Sequence, residues 1–157
     1  MPDQFRSPTV SSVNPDQAFI LSFLAGDRAP ARITTNPVAA ALKAELRAAT
    51  RDGSVTVAFE PSQQFLQGGQ VIQGGILTVM LDFAMAFAAQ ACLPQNDGVA
   101  TVNINVSMLK PAVAGRYDAT GRVIRQGRTM IFANAELHNS GGATIAVSTG
   151  VMAVIRK

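Results

Sequence analysis

The sequence predicts an α+β domain in which an antiparallel sheet wraps one long apolar helix. Three observations lead there. The run Val71 to Cys92, VIQGGILTVMLDFAMAFAAQAC, is apolar almost throughout and holds a single carboxylate, Asp82. It is followed by stretches with the alternation of strands, separated by short turn sequences. At 157 residues, with 48% hydrophobic and 15% charged content, the chain suffices for one cored domain and falls short of two of ordinary size.

Residues 1 to 13 carry no core pattern and read as a mobile arm. They lack a cationic region followed by an apolar run, so no secretory signal is expected and the protein is placed in the cytoplasm. Asn14 before Pro15, and Asn36 before Pro37, each join a capping side chain to a proline in the first turn, which predicts two short helices. Ala39 to Ala49 favours helix by propensity. The Asp52-Gly53 turn equally allows Glu45 to Thr50 to be the first arm of a hairpin, with SVTVAFE as the second, and both readings stay open. The chain thus divides into an arm with a short helix, residues 1–36, and a main domain, residues 37–157.

The long helix, about residues 75–92, follows Gly74 and Gly75, has no interior proline and stops before Pro94. Thr78, Asp82, Met85, Ala86 and Ala89 share one face, and Ile76, Met80, Phe83 and Phe87 the other. Both faces are mostly apolar, so protein must cover most of the helix. A membrane span is a poorer fit, because insertion would leave Asp82 near the hydrocarbon centre at a cost of roughly 3 kcal/mol. In TVNINVSML, Val102, Ile104, Val106 and Met108 alternate with Thr101, Asn103, Asn105 and Ser107, the period of a strand with one apolar face. Tyr117 to Gln126, Arg128 to His138 and Ala143 to Ile155 continue as a meander through the turns QGR and NSGG.

Composition removes several function classes. The formal charge of +3 comes from thirteen Lys and Arg spread along the chain, not from a basic block, so nucleic acid is not an expected partner. One cysteine excludes an internal disulfide, and one histidine leaves no zinc spacing. Cys92 reads as a small buried hydrophobe and His138 as a strand-surface residue.

The runs FLQGGQVIQGGILTVMLDFAMAFA, VNINVSMLKPAVAG and GRVIRQGRTMIFANAEL together resemble the hotdog-fold acyl-CoA thioesterases of the phenylacetate-degradation type, over roughly Pro37 to Ile155. The most specific part is Gly74-Gly75 with an acid eight residues after the first glycine, then a strand ending in an apolar residue, a basic residue and proline. The resemblance implies hydrolysis of an acyl-CoA thioester, with coenzyme A as part of the substrate and no metal or bound cofactor. It implies Asp82 as base or nucleophile, the Gly74 amide as the group polarising the carbonyl, Gln73 as a carbonyl-orienting amide, and Thr101 as a positioner of water or the acid. Gln67 and Gly75 fall in the substrate-binding loop and helix start, and Lys110, Arg125 and Arg128 where coenzyme phosphates could be met. Gln67 stands where asparagine is common, and Gln70 where glycine is.

The chemistry agrees with this reading. Thioester cleavage needs an electrophilic aid at the carbonyl and a base or nucleophile beside it. The first amides of a helix have no intrahelical partner and lie at its positive end. Gly74 and Asp82 are eight residues apart, which at about 1.5 Å per residue is roughly 12 Å along one helix, too far for one carbonyl. Two copies with antiparallel central helices bring them together twice, so a homodimer or a dimer of dimers is expected. A non-catalytic acyl-CoA-binding or regulatory protein is the alternative, suggested by Gln67 and Gln70. A hydratase is disfavoured, because His138 is not near the helix in sequence.

Overall fold

The computed structural model describes residues 14–156, so the arm expected at residues 1–13 lies outside the described residues. Helix α1 spans Pro15–Ala25, and the Asn14 side chain accepts from Asp16 N at 3.0 Å. Helix α2, Pro37–Ala41, begins the same way, with Asn36 Oδ1 accepting from Val38 N and Ala39 N. Both caps are where the Asn-Pro pairs predict them.

The helical reading of Ala39 to Ala49 fails after Ala41. Lys43 turns into the left-handed region at φ 51°, and the chain enters the hairpin β2 (Glu45–Ala49) and β3 (Ser54–Phe59). The turn is closed by Gly53 at φ 87°. A bulge at Arg47 shifts the register so that Leu46 and Ala49 both point inward. That spacing of three looks helical in the sequence and arises here from an irregular strand.

A two-residue strand β1, Ala31–Arg32, pairs with β2. The remaining strands are β4 (Gly98–Met108), β5 (Tyr117–Gln126), β6 (Met130–Asn139) and β7 (Thr144–Ile155). All seven form one antiparallel sheet in the order β1-β2-β3-β5-β6-β7-β4. Strand β4, which follows the long helix in sequence, therefore lies at an edge, beyond β7.

Helix α3, Gly74–Cys92, rests on the inner face of this sheet and packs against β3, β5, β6, β7 and β4. Two glycines allow that seat. A Cβ on Gly121 would stand 2.2 Å from the Ala84 carbonyl oxygen, and one on Gly150 would stand 3.1 Å from Met85 Cε. Phe83 bridges Phe59 and Phe87 with ring centroids 6.3 and 5.9 Å away. Helix α1 packs over α3 and is tethered by Gln17, which donates to Pro94 O at 2.7 Å and accepts from Asn96 N at 2.9 Å. With that cover, the second half of α3 is buried on nearly every side. Met85 and Ala89, grouped with Asp82 by spacing, are consequently inside the protomer. What stays open is a stripe of Gly75, Thr78, Val79, Asp82, Phe83 and Ala86.

Candidate active site

The N-terminus of α3 is held from two sides. Ile72 N donates to Ala112 O at 2.6 Å and Gln73 N to Phe65 O at 2.9 Å. Gln73 is the cap residue, but its amide makes no capping bond, and the Gly74 and Gly75 N–H groups find no acceptor among the described residues. Two free amide dipoles thus mark the positive end of a nineteen-residue helix. A Cβ on Gly74 would meet only Met108 Cε at 3.6 Å, and one on Gly75 nothing within 4 Å. Packing inside the protomer therefore does not require either glycine. Thr78 Oγ1 closes the first turn by donating to Gly74 O at 3.1 Å.

Before this helix start, Leu66 and Ile72 bridge around the tip Gln67 to Gln70. Gln67 Oε1 accepts from Gly69 N at 2.9 Å, so half of the amide is committed to its own loop. Gln70 adopts φ 62°, a conformation in which glycine has no steric cost.

Asp82 lies in the third turn, half-buried, and accepts from Thr101 Oγ1 at 2.8 Å. No lysine or arginine comes within ion-pair distance of it among the described residues, and its second oxygen is free. Strict alternation in β4 would put Thr101 with Asn103, Asn105 and Ser107 on the outer face. A bulge intervenes. Thr101 pairs with Met152 and Asn103 with Val151, so Val102 is an extra residue and Thr101 returns to the helix side with Ile104 and Val106. Sequence reasoning missed this device, since the run itself reads as an unbroken period of two.

The structure brings Asp82 and Thr101 together and sets Gly74, Gly75 and Gln73 two turns away on the same helix. Lys110 follows β4 at the Gly74 end. Arg125 and Arg128 lie at the opposite end, where Gln126 Nε2 donates to Cys92 O at 3.4 Å. For a helix of nineteen residues that separation is about 28 Å, so the three cations are not one cluster within a protomer. Burial, then the Asp52 carboxylate, push the Cys92 thiol above its ordinary range, which makes it a poor nucleophile. His138 stands 3.6 Å from Glu136 on the outer face, remote from α3.

Residues 69–146, the span that holds Gly74, Asp82, Thr101 and the three cations, match the thioesterase superfamily. The wrapped helix and this match together define the class: a hotdog domain that is similar to the thioesterase superfamily over residues 69–146. Among solved structures, a phenylacetic acid degradation-related protein of Ralstonia eutropha is 29% identical with a TM-score of 0.75, over 86% of this chain and 98% of that one. A thioesterase family protein of Silicibacter pomeroyi is 26% identical with a TM-score of 0.73, over 78% and 91%. A candidate esterase of Saccharolobus solfataricus is 27% identical over 104 residues, 66% of this chain and 74% of that protein.

Proposed function

We propose that the protein hydrolyses an acyl-CoA thioester to the free acid and coenzyme A, at a site shared between two copies. The observation that carries this is Asp82, a carboxylate on an apolar helix, held by one hydroxyl and, among the described residues, neutralised by no cation. A structural carboxylate at such a place normally has a basic partner. As base, Asp82 takes a proton from water while the water oxygen bonds to the carbonyl carbon. As nucleophile, its free oxygen attacks that carbon and water later cleaves the mixed anhydride. In either course the C–S bond breaks and the thiolate leaves and is protonated. The Gly74 N–H of the other copy donates a hydrogen bond to the carbonyl oxygen as negative charge develops there, and one such donor contributes about 3 kcal/mol. Gln73 and Gly75 flank that oxygen.

Antiparallel helices in such a dimer set the Lys110 end of one copy beside the Arg125 and Arg128 end of the other, so coenzyme phosphates are met across the interface. A second reading, a binding protein without turnover, is favoured by Gln67, whose carbonyl oxygen is engaged in its own loop. Thiol release from a panel of CoA thioesters separates the two. Asp82→Asn is expected to lower turnover about 10²- to 10⁴-fold while affinity and melting temperature hold. Equal turnover by the folded variant would remove Asp82 from the chemistry, and tight binding without thiol release across the panel would establish the binding protein.

A further inference from the structure

Two methionines among the described residues reach solvent. Met80, Met85 and Met152 are fully buried, whereas Met108 is 45% exposed and Met130 38%. Met130 begins β6, just after the turn that holds Arg128, at the Cys92 end of α3. Met108 closes β4 at the other end, beside the helix start.

What Met108 faces sets it apart. The bulge at Val102 puts Ile104, Val106 and Met108 on the helix side of β4, and Met108 Cε comes within 3.6 Å of where a Cβ on Gly74 would stand. The Gly74 and Gly75 N–H groups there have no acceptor among the described residues, and nothing would lie within 4 Å of a Cβ on Gly75. A thioether sulfur is a weak acceptor, so Met108 leaves those donors free for a substrate oxygen. One added oxygen atom would reverse that.

We propose that Met108 is an oxidation site that reversibly shuts the active site, an inference that rests on the thioester-hydrolase reading. A hydroperoxide supplies the oxygen. Its O–O bond breaks, an S–O bond forms, the sulfur loses two electrons, and water or an alcohol leaves. The sulfoxide oxygen carries partial negative charge and accepts hydrogen bonds strongly. Three rotatable side-chain bonds let it swing to the Gly74 and Gly75 N–H groups, at the helix end that favours negative charge. There it takes the place of the thioester carbonyl oxygen. A methionine sulfoxide reductase undoes the step, its dithiol becoming a disulfide as the oxygen departs in water. Access follows from the shared site. Gly74 of one copy meets Asp82 of the other, so Met108 borders the cleft that receives the carbonyl, and a passage wide enough for an acyl thioester admits a hydroperoxide. Cys92 is a poor competitor for the oxidant, because burial and Asp52 hold its thiol above the ordinary range.

The test treats the protein with hydrogen peroxide, locates added oxygen at each methionine by peptide mass spectrometry, and follows thiol release from a CoA thioester. Each rate is referred to the same protein before treatment. In the wild type kcat/KM should fall by about tenfold or more, in step with the sulfoxide found at Met108, since losing one donor from such a site costs about 10²–10³ in kcat. Methionine sulfoxide reductases A and B should restore the rate. Cys92→Ala and Met130→Leu should lose activity as the wild type does. Met108→Leu, a change of similar volume, should keep its own starting rate, and Met108→Ile replaces it if it folds poorly. Four results would each overturn the proposal: Met108 left unoxidised while Met130 reacts, full activity with Met108 oxidised, equal loss in Met108→Leu, or a loss that the reductases cannot reverse. Protection by Cys92→Ala would assign the sensitivity to the thiol instead. If no thioester is cleaved, the hydrolase reading falls separately, and amide NMR decides the site. Oxidation should then move the Gly74 and Gly75 N–H resonances in the wild type and not in Met108→Leu, and unmoved resonances refute the proposal.

Discussion

Thr101 Oγ1 donates to Asp82 at 2.8 Å, and a hydrogen bond to a charged acceptor is worth about 1.5–3 kcal/mol. Thr101→Val keeps the shape and removes the donor. If the bond orients Asp82 for reaction, kcat should fall about tenfold or more with the melting temperature steady, and Thr101→Ser should restore most of the rate. Loss of stability with unchanged kcat would make the bond structural. At this scale Asp82 was legible because a charge stands out in an apolar run, and Gly74 because a helix must begin with free amides. The orientation of Thr101 was not, since alternation alone assigns it to the outer face. Lys110, Arg125 and Arg128 resemble one phosphate-binding set in sequence, yet fold to opposite ends of α3, because proximity along the chain says nothing about which end of the sheet a turn occupies.

The bulge in β4 makes an element-level expectation possible. Deleting Val102 removes the extra residue and leaves Thr101 opposite Met152, so turnover should persist. Deleting Thr101 shortens the strand equally but lets Val102 take the place opposite Met152, and turnover should fall as in Thr101→Val. Equal effects of the two deletions, in kcat assays on folded protein, would refute the assigned register. Where α3 crosses β5 a different limit applies. Gly121→Ala would press a methyl group 2.2 Å from Ala84 O, and denaturant melts should show a loss of about 1–3 kcal/mol. Helix α3 and the meander were readable because their periods are long and uninterrupted. The segment Ala39 to Ala49 was not, because the Arg47 bulge gives Leu46 and Ala49 a helical spacing within a strand.

For the whole molecule, the distance between Gly74 and Asp82 makes the shared site testable by mixing. Gly74→Pro removes one amide hydrogen at the first helical position, where proline is well tolerated, and Gln73 at φ −56° and ψ 132° already has the backbone that precedes a proline. Homodimers of Gly74→Pro and of Asp82→Asn should both be nearly inactive. After subunit exchange at equal concentrations, half the dimers are mixed and one of their two sites is intact, so about a quarter of wild-type activity should return. No recovery, with exchange verified by native mass spectrometry, would place the whole site in one chain. The expectation of this assembly rests on spacing and helix rise. The strand order was not legible, because nothing in β4 announces that its neighbour is β7 rather than β5. That order also sets a timetable. Strand β4 pairs with β7 alone, and β7 is the last of the described strands to be synthesised. A nascent chain that has emerged through residue 140 already contains Gly74, Asp82 and Thr101, but the strand that presents Thr101 has nothing to pair with. During translation, then, the hydrolytic chemistry should switch on late and abruptly, when the final hairpin closes and not when its own residues appear.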